Sequence, residues 1–433
     1  MDSDVLEQAV GTENSGRLWS FAITSTERYI FWAGWSNRTF KGVKMIQRIQ
    51  HATPRIIFLL VVYGLFAFYS PEITADEKHE IIVGLDADLS SGSARSGESI
   101  RRGIILAMDE INAAGGVLGR KLVLKPMDHR GIPARGVDNM EVFGANPDMV
   151  AVMGGLHTPV ALRELKTIHR LKIIYLSPWA AGTPVVNNGF QPNYVFRVSV
   201  RDQFAGGFLV RKAIESGHKK LGLLLERTGW GRSNERAMTA ALEKNGLSPV
   251  GVQWFNWGTK EMMEPIDHLI RDGTEVILLV ANAPEGIQII QAMAQRPAEA
   301  RRPIVSHWGI TGGHFFHDVG DALAQVDLKF LQTFSFFNPP FPDRSQQLVK
   351  AYCARFSDCR SARDIFAPVG TAHAYDLVHM LARAIKKAGT TDRAAVRNAL
   401  ERLDPFAGLV RNYDPPFTPE RHDALDATDF QLA

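Results

Sequence analysis

Cysteine is scarce in this chain, and its scarcity excludes several kinds of protein. Only Cys353 and Cys359 occur among 433 residues, so neither a disulfide-dense scaffold nor a zinc site built on cysteines is possible. An excess of one charge is also lacking, because the formal net charge is only +3. Nucleic-acid binding therefore has no support from composition. The chain is 45% hydrophobic and 22% charged, which is ordinary for a globular protein of two or three domains.

Catalytic motifs are lacking too. The chain has no HExxH pair, no GxSxG turn, no GxxxxGK[ST] loop and no GxGxxG after its first predicted strand, which argues against a nucleotide enzyme. His314 and His317 lie three residues apart, where surface or helix-cap roles explain them better than a metal site does. A hydrolase triad assembled from distant residues is left open as the minor alternative. We expect a protein that is not an enzyme and that uses no cofactor or metal.

An uncharged apolar run extends from Ile56 to Tyr69, with Arg48 and Arg55 before it and Ala75 behind it. A basic flank, a short apolar stretch and a small residue together predict a secretory signal peptide. The run is shorter than the ~20 residues that cross a bilayer comfortably. A buried helix and an uncleaved membrane anchor are the alternatives. Since no cysteine lies near the cleavage region, a lipid-modified N-terminus is excluded.

The N-terminal region is therefore divided into two predicted parts. Residues 1–44 show no clear helix or strand period and are interpreted as a non-native or disordered extension. Residues 45–75 are the predicted signal peptide, beginning at Met45, and the exported protein is expected to begin near Asp76. An oxidising periplasm is the expected location.

From residue 80 onward, apolar strands alternate with amphipathic helices. Glu80 to Leu85 reads as a buried strand, and Ile100, Ile104, Met108 and Ile111 then fall on one helical face. The further predicted strands are 121–125, 150–153, 173–176, 221–225, 250–254, 276–280 and 303–306, and the further helices are 235–244, 262–271 and 287–295. Continuous apolar strands that alternate with helices predict parallel sheets covered on both faces. So many units predict two α/β/α lobes rather than one sheet.

Open parallel sheets bind ligands at the carboxyl ends of their strands. That rule selects five loops for inspection: 86–96, 154–159, 177–184, 226–232 and 306–313. In the second of these, Leu156, His157 and Thr158 precede a helix that Thr158 is suited to cap. Free amides at such a helix start attract a carboxylate or another anion. An ordinary capped turn is the alternative.

Three other loops carry aromatic candidates. Trp179, Ala180 and Ala181 offer a ring and exposed backbone groups after the fourth strand, although a packing tryptophan in a Pro/Gly loop is an equal alternative. Trp230 stands between two glycines, which is a poor position for a core residue and a better one for covering a ligand. Trp308 and Thr311 lie in a glycine-rich loop at another strand end. All these residues are ligand-binding candidates.

Several segments, taken together, resemble the type I periplasmic binding proteins, specifically the leucine/isoleucine/valine-binding family. The resemblance runs from about residue 80 to the end. Its most diagnostic piece is GIILAMDEINAAGGVLG, since the family's first helix ends in that wording. The other pieces are IIVGLDADLSSG, AVMGGLHTP, IIYLSPWAAGTP, YVFRVSVRDQFAG and LGLLLERTGWGRS.

The resemblance implies two lobes joined by three crossing strands, with a ligand held between them. Lobe 1 is expected to comprise residues 79–198 and 332–428, and lobe 2 residues 199–331 and 429–433. The crossings are expected near 196–200, 330–335 and 429–432. The helix predicted at 372–386 would then pack beside the N-terminal half.

The resemblance also implies roles for the candidate residues. In amino-acid-binding members, the loop matching Leu156–Thr158 holds the α-carboxylate, and the position matching Thr311 usually carries an acid that pairs the ammonium. Here that acid is missing, and so is a hydroxyl expected near Ala181. A buried ammonium without a carboxylate partner is costly. We therefore expect a flatter ligand that bears an acid or amide group, with Trp179 and Trp230 covering it from opposite lobes. The alternative is that an acid elsewhere, Asp86, Asp88 or Glu285, takes the ammonium of an amino acid.

The expected role is that of a monomeric component that delivers its small-molecule ligand to the permease of an ABC importer. The alternative is a receptor subunit that presents the ligand-closed form to a membrane histidine kinase or cyclase. Cys353 and Cys359 are expected to form a disulfide, because they are the only cysteines and the segment between them looks like a helix end turning back. If the helix runs straight through, they would remain free.

Overall fold

The computed structural model describes residues 80–433. The predictions for 1–44, for the signal peptide at 45–75 with its start at Met45, and for a mature N-terminus near Asp76 lie outside the described residues. Within residues 80–433, no helix combines the length and the apolar character that crossing a membrane requires. The described part contains two main sheets, which confirms the predicted α/β class with two parallel-sheet lobes.

The first sheet has five parallel strands in the order β2-β1-β3-β4-β5. Its central strands are continuous apolar runs and are buried on both faces, as expected for a parallel sheet covered by helices. The strands are β1 (Ile81–Ala87), β2 (Leu122–Asp128), β3 (Met149–Gly154), β4 (Ile174–Ser177) and β5 (Val195–Arg197). The helices between them are α1 (Ala94–Ala113), α2 (Pro133–Ala145), α3 (Thr158–Arg170) and α4 (Thr183–Val186).

The second sheet has six strands in the order β13-β10-β9-β8-β6-β7, all parallel except for the β10–β13 pair. The strands that follow β5 in the chain are β6 (Leu221–Glu226), β7 (Gly251–Phe255), β8 (Val276–Val280), β9 (Ile304–Ser306) and β10 (Leu328–Gln332). Their helices are α5 (Asp202–Glu215), α6 (Gly229–Glu243), α7 (Met263–Arg271), α8 (Ala283–Ala294) and α9 (Phe315–Asp318).

After β10 the chain returns to the first sheet. The returning elements are α10 (Pro342–Arg355), α11 (Pro368–Ala388), α12 (Arg393–Leu400), the short pair β11 (Phe406–Ala407) and β12 (Asn412–Tyr413), and finally β13 (Gln431–Leu432). Helix α11 packs against α1, as the sequence predicts for the helix at 372–386. A Cβ atom at Gly103 would collide with the Thr371 carbonyl oxygen, and Thr371 Oγ1 donates to the Ser99 carbonyl at 3.0 Å. Glycine at 103 therefore permits the close contact of the two helices.

Two helix starts differ from the sequence prediction. Helix α6 begins at Gly229 rather than near residue 235, because the Thr228 side chain accepts hydrogen bonds from the backbone amides of Trp230 and Gly231. Thr158 was expected to cap α3, but His157 occupies the cap position and makes no side-chain cap hydrogen bond. The Thr158 hydroxyl instead accepts from the Gly182 amide at 3.1 Å, which joins two neighbouring loops.

A disulfide joins Cys353, in the last turn of α10, to Cys359 in the segment that follows. Asp358, inside the closed loop, forms two hydrogen bonds of 2.8 Å with the Arg102 guanidinium on α1. The loop thus ties the end of α10 to the first helix of the first lobe.

Candidate functional site

A cavity of about 280 Å³ lies where loops at the carboxyl ends of the two sheets face each other. This is the position at which open parallel sheets bind ligands. The first lobe contributes Asp88, Ser91, Gly92, Ser93, Arg130, Gly131 and His157, and the second contributes Trp257, Gly258, Asn282, Pro284 and Glu285.

The loop after β1 is fixed by the carboxylate of Asp88. This carboxylate accepts hydrogen bonds from the amides of Ser91 at 2.8 Å and Ser93 at 2.9 Å, and from the Ser91 hydroxyl at 2.6 Å. Burial works to raise the pKa of Asp88, but these hydrogen bonds outweigh it and hold the pKa below its usual value. Asp88 is therefore a carboxylate whose hydrogen-bonding capacity is largely spent on its own loop.

His157 is the most distinctive side chain of the first-lobe wall. It is only 7% exposed, and its buried Nδ1 has no hydrogen-bond partner among residues 80–433. Burial, aided by neighbouring His129, lowers the pKa of His157 to about 3 against the opposing effect of Asp88. A neutral imidazole with an unused buried nitrogen is costly unless a ligand pairs it.

The second-lobe wall depends on a buried acid behind it. Glu226, at the end of β6, accepts hydrogen bonds from Trp257 Nε1 at 2.9 Å and Asn282 Nδ2 at 3.1 Å. Burial raises the pKa of Glu226 to about 8. The Trp257 ring also reaches across the cleft, with its centroid 5.1 Å from that of His157. The two lobes therefore meet at this aromatic pair.

Glu285 supplies an acid to the cavity itself. Its Oε1 accepts from the Gly258 amide at 2.9 Å. Burial raises the pKa of Glu285 against the effect of the Gly258 amide. The only cationic side chain that lines the cavity is Arg130, which is 54% exposed and lies 3.4 Å from Asp128. Within residues 80–433, no group of three or more His, Cys, Asp or Glu side chains is placed to hold a metal ion.

Of the nine ligand-binding residues predicted from the sequence, the structure brings His157 to this cavity. The other eight are buried and form no part of its lining in this conformation: Leu156, Thr158, Trp179, Ala180, Ala181, Trp230, Trp308 and Thr311.

The aromatic candidates pack inside the protein instead. Trp308, after β9, is fully buried with its ring 5.7 Å from that of Trp179 and 5.5 Å from that of His373, so it joins the second sheet to the first lobe. The sequence predicts that Trp230 covers a ligand from a loop. It is 5% exposed, because the first turn of α6 points it inward, where its Nε1 donates to Asp202 at 3.1 Å.

The position expected to pair an ammonium also differs from the prediction. Thr311 Oγ1 donates to the Trp308 carbonyl at 2.8 Å and is buried away from the cavity. The acids at the cavity are Asp88 and Glu285. The absence of an acid at Thr311 therefore does not show that the cavity lacks one.

The sequence prediction missed most of the second-lobe wall, although one available rule points to it. Trp257 and Asn282 follow β7 and β8, and the carboxyl ends of those strands were not among the five loops selected. The rule that selected the others applies equally to them. Loop 86–96, which was selected, does contribute Asp88 and Ser91 to Ser93.

A family model described as "Periplasmic binding protein" matches residues 80–427 of this chain. The chain belongs to the periplasmic binding protein family. This periplasmic binding protein has the type I fold, and its family consists of substrate-binding proteins rather than enzymes.

Three similar proteins illustrate the relationship. The Leu/Ile/Val-binding protein homolog 3 of Brucella melitensis is 25% identical over 76% of this chain and 86% of its own length. A periplasmic binding protein type 1 from Bordetella pertussis has a TM-score of 0.74 at 21% identity, covering 82% of this chain and 96% of that one. A solute-binding protein of R. palustris in complex with 4-hydroxybenzoate has a TM-score of 0.69 at 16% identity, covering 80% and 90% of the two chains.

Proposed function

We propose that this periplasmic binding protein captures a small carboxylate- or amide-bearing molecule, amino-acid-like or aromatic, between its lobes and delivers it to an ABC importer from the periplasm. The observation that carries the proposal is the cavity between the two sheets, lined from both lobes. Its volume of about 280 Å³ suits a ligand about the size of one amino acid or one substituted ring, since larger ligands need larger pockets.

The polar groups of the cavity suggest how such a ligand is oriented. The Glu285 carboxyl group is an acceptor on the second-lobe side of the cavity, so an ammonium or amide N–H group fits there. The face of Trp257 suits an apolar or aromatic body. The acidic or carbonyl end would then lie against the first lobe, between His157 and Arg130. Because Glu285 provides an acid, amino acids are ligand candidates alongside amides and aromatic acids.

Calorimetry tests the proposal with a defined set of compounds: leucine, isoleucine, valine, 4-hydroxybenzoate, and amides of amino and aromatic acids. We expect at least one to bind with one-to-one stoichiometry. Removal of the His157 ring in His157→Ala should weaken its binding, whereas Glu264→Gln, on the exposed face of α7, should not change it.

The variant Glu285→Gln separates the ligand classes. An ammonium group loses its charge partner in this variant, whereas an amide keeps a hydrogen-bond acceptor. Affinity for an amino acid should therefore fall far more than affinity for an amide. Binding that none of the cavity variants changes would contradict the proposed site, and a set with no binder would contradict the proposed ligand class.

A further inference from the structure

We propose that Glu226 is the positioning residue of the second-lobe wall, acting on the ligand only through Trp257 and Asn282. Glu226 is fully buried and lines no part of the cavity. The proposal rests on the proposed function, because it explains how one wall of that same cavity is held in place.

The strand order places Glu226 where it can serve both neighbours. Strand β6 lies between β8 and β7 in the second sheet. Glu226 is the last residue of β6, Trp257 follows β7, and Asn282 follows β8. One carboxyl group at the centre thus reaches the loops that extend from the strands on either side.

A single oxygen of Glu226 holds both wall residues. Its Oε2 accepts from Trp257 Nε1 at 2.9 Å and from Asn282 Nδ2 at 3.1 Å. The wall also meets the other lobe, because the Trp257 ring lies 5.1 Å from the His157 ring. A shift of the Trp257 indole would therefore change both the cavity and the contact between the lobes.

The remaining oxygen of Glu226 is engaged by the start of α6. Thr228 Oγ1 donates to Oε1 at 2.6 Å, while the same hydroxyl accepts from the amides of Trp230 and Gly231. A hydroxyl has one hydrogen to donate, and the Thr228 hydroxyl donates its hydrogen to Glu226. Trp257 and Asn282 also donate to Glu226, so the carboxyl group accepts all three hydrogen bonds. Because the Glu226 carboxyl group meets three donors and, within residues 80–433, no acceptor for a proton of its own, these hydrogen bonds favour its ionised form.

Burial acts against that ionised form. It raises the pKa of Glu226 to about 8, against the hydrogen bonds from Thr228 and Trp257, and the nearby acids Glu285 and Asp202 raise it further. Deprotonation near that pH should strengthen the hydrogen bonds to Trp257 and Asn282. The second-lobe wall should accordingly be held more firmly in mildly alkaline than in neutral solution.

The indole N–H resonance of Trp257 reports this hydrogen bond in the ligand-free protein. In NMR spectra of the uniformly labelled protein, that resonance is assigned as the one that is lost in Trp257→Phe. As pH rises through about 8, it should move downfield. In Glu226→Gln the pH-dependent movement should disappear and exchange should be about tenfold faster, as for the loss of one charged hydrogen bond.

Two controls separate positioning from general damage. The indole N–H of Trp230 bonds to Asp202 instead, so its resonance should shift less than that of Trp257 in Glu226→Gln. Glu264→Gln makes the same change from glutamate to glutamine at an exposed position of the same lobe. This control should leave the Trp257 resonance unchanged. The titration of the unsubstituted protein provides a reading even if the variant does not fold.

A Trp257 resonance that neither titrates nor responds to Glu226→Gln would overturn the proposal. Because the measurement needs no ligand, it stands apart from the calorimetric test of function. With a compound that binds, and at a pH above about 8, Glu226→Gln should weaken affinity about as much as loss of one charged hydrogen bond, again roughly tenfold. Unchanged affinity would contradict the proposal that Glu226 acts on the ligand through Trp257 and Asn282.

Discussion

Trp230 and Trp257 each donate an indole hydrogen bond to a buried acid of the second lobe, but they face different surroundings. Trp230 is 5% exposed and packs edge-on to His307, with ring centroids 5.0 Å apart. Trp257 is partly exposed and lines the cavity between the lobes. The same residue type therefore supports the interior in one case and the candidate ligand site in the other.

This difference predicts opposite effects of truncation. Trp230→Ala would leave a cavity in the core and remove the indole hydrogen bond to Asp202, so the free energy of unfolding should fall by about 3–5 kcal/mol. Trp257→Ala should change stability little but weaken ligand binding by roughly 1–3 kcal/mol. Urea unfolding and calorimetry measure the two quantities. The prediction fails if Trp230→Ala is as stable as the unsubstituted protein.

His373 makes the folded protein sensitive to acid. Burial lowers the pKa of His373 to about 4, although its hydrogen bond to the Pro178 carbonyl acts in the opposite direction. The unfolded chain takes up this proton near its usual pKa of about 6.5, whereas the folded protein does not. The stabilisation that depends on the neutral His373 imidazole is therefore fully present above about pH 6.5. It is lost as the pH falls towards 4.

The corresponding variant is His373→Asn. Up to about 3 kcal/mol of stability depends on this one neutral imidazole. The variant should be less stable at pH 7 but should lose less of its remaining stability on acidification. Urea unfolding at several pH values between 4 and 7.5 measures both. Parallel curves for the two proteins would mean that His373 does not cause the acid sensitivity.

At the scale of single elements, strands were more predictable from the sequence than helix starts. The apolar run 276–280 is the strand β8 exactly as predicted, because five consecutive apolar residues bury both faces of a parallel strand. The start of α6 was placed too late because glycine and tryptophan were interpreted as loop residues. The cap supplied by Thr228 starts the helix there and turns Trp230 inward.

The disulfide between Cys353 and Cys359 fastens the end of a single element, helix α10. Reduction should free the loop that carries Asp358, and with it the hydrogen bonds to Arg102. The small loop limits the stabilisation to about 2 kcal/mol. Unfolding with and without reductant tests this, with the double Cys353→Ser, Cys359→Ser variant as the control. Free thiols in the native protein would contradict it.

At the scale of the whole molecule, a buried ion pair ties the first sheet to the C-terminal segment. Arg197, the last residue of β5, is fully buried and donates from Nε to Asp423 Oδ1 at 2.6 Å. Its Nη1 donates to the carbonyls of Ala180 and Gly182 at 3.1 and 2.9 Å. The guanidinium thus joins three chain segments just before the chain enters the second lobe.

Loss of the acid would leave this guanidinium charge buried without compensation. Asp423→Asn should therefore lower the free energy of unfolding by about 3–5 kcal/mol. The exposed pair of Lys212 and Glu215 is the contrast, because Glu215→Gln should produce no measurable change. Urea unfolding of both variants tests the prediction. Equal stability of the two variants would show that the buried pair does not hold the segments together.

The candidate site was less predictable than the fold, for a physical reason. Periodicity reveals which face of an element is buried, whereas a cavity depends on which loops of two distant sheets come together. His157 was identified because a helix start after a strand is a local feature. Trp257 and Glu285 line the cavity through hydrogen bonds to Glu226 and Gly258, and such contacts cannot be recognised from the residues alone.

The central claim is that one ligand is held from both lobes at once. Thermal unfolding with and without the compound identified by calorimetry tests it most directly in the unsubstituted protein, in His157→Ala and in Trp257→Ala. Ligand binding raises apparent stability by mass action, so the compound should raise the Tm of the unsubstituted protein clearly more than that of either variant at the same concentration. An equal rise in Tm in all three proteins would contradict the account, because the ligand would then bind away from the cavity between the lobes.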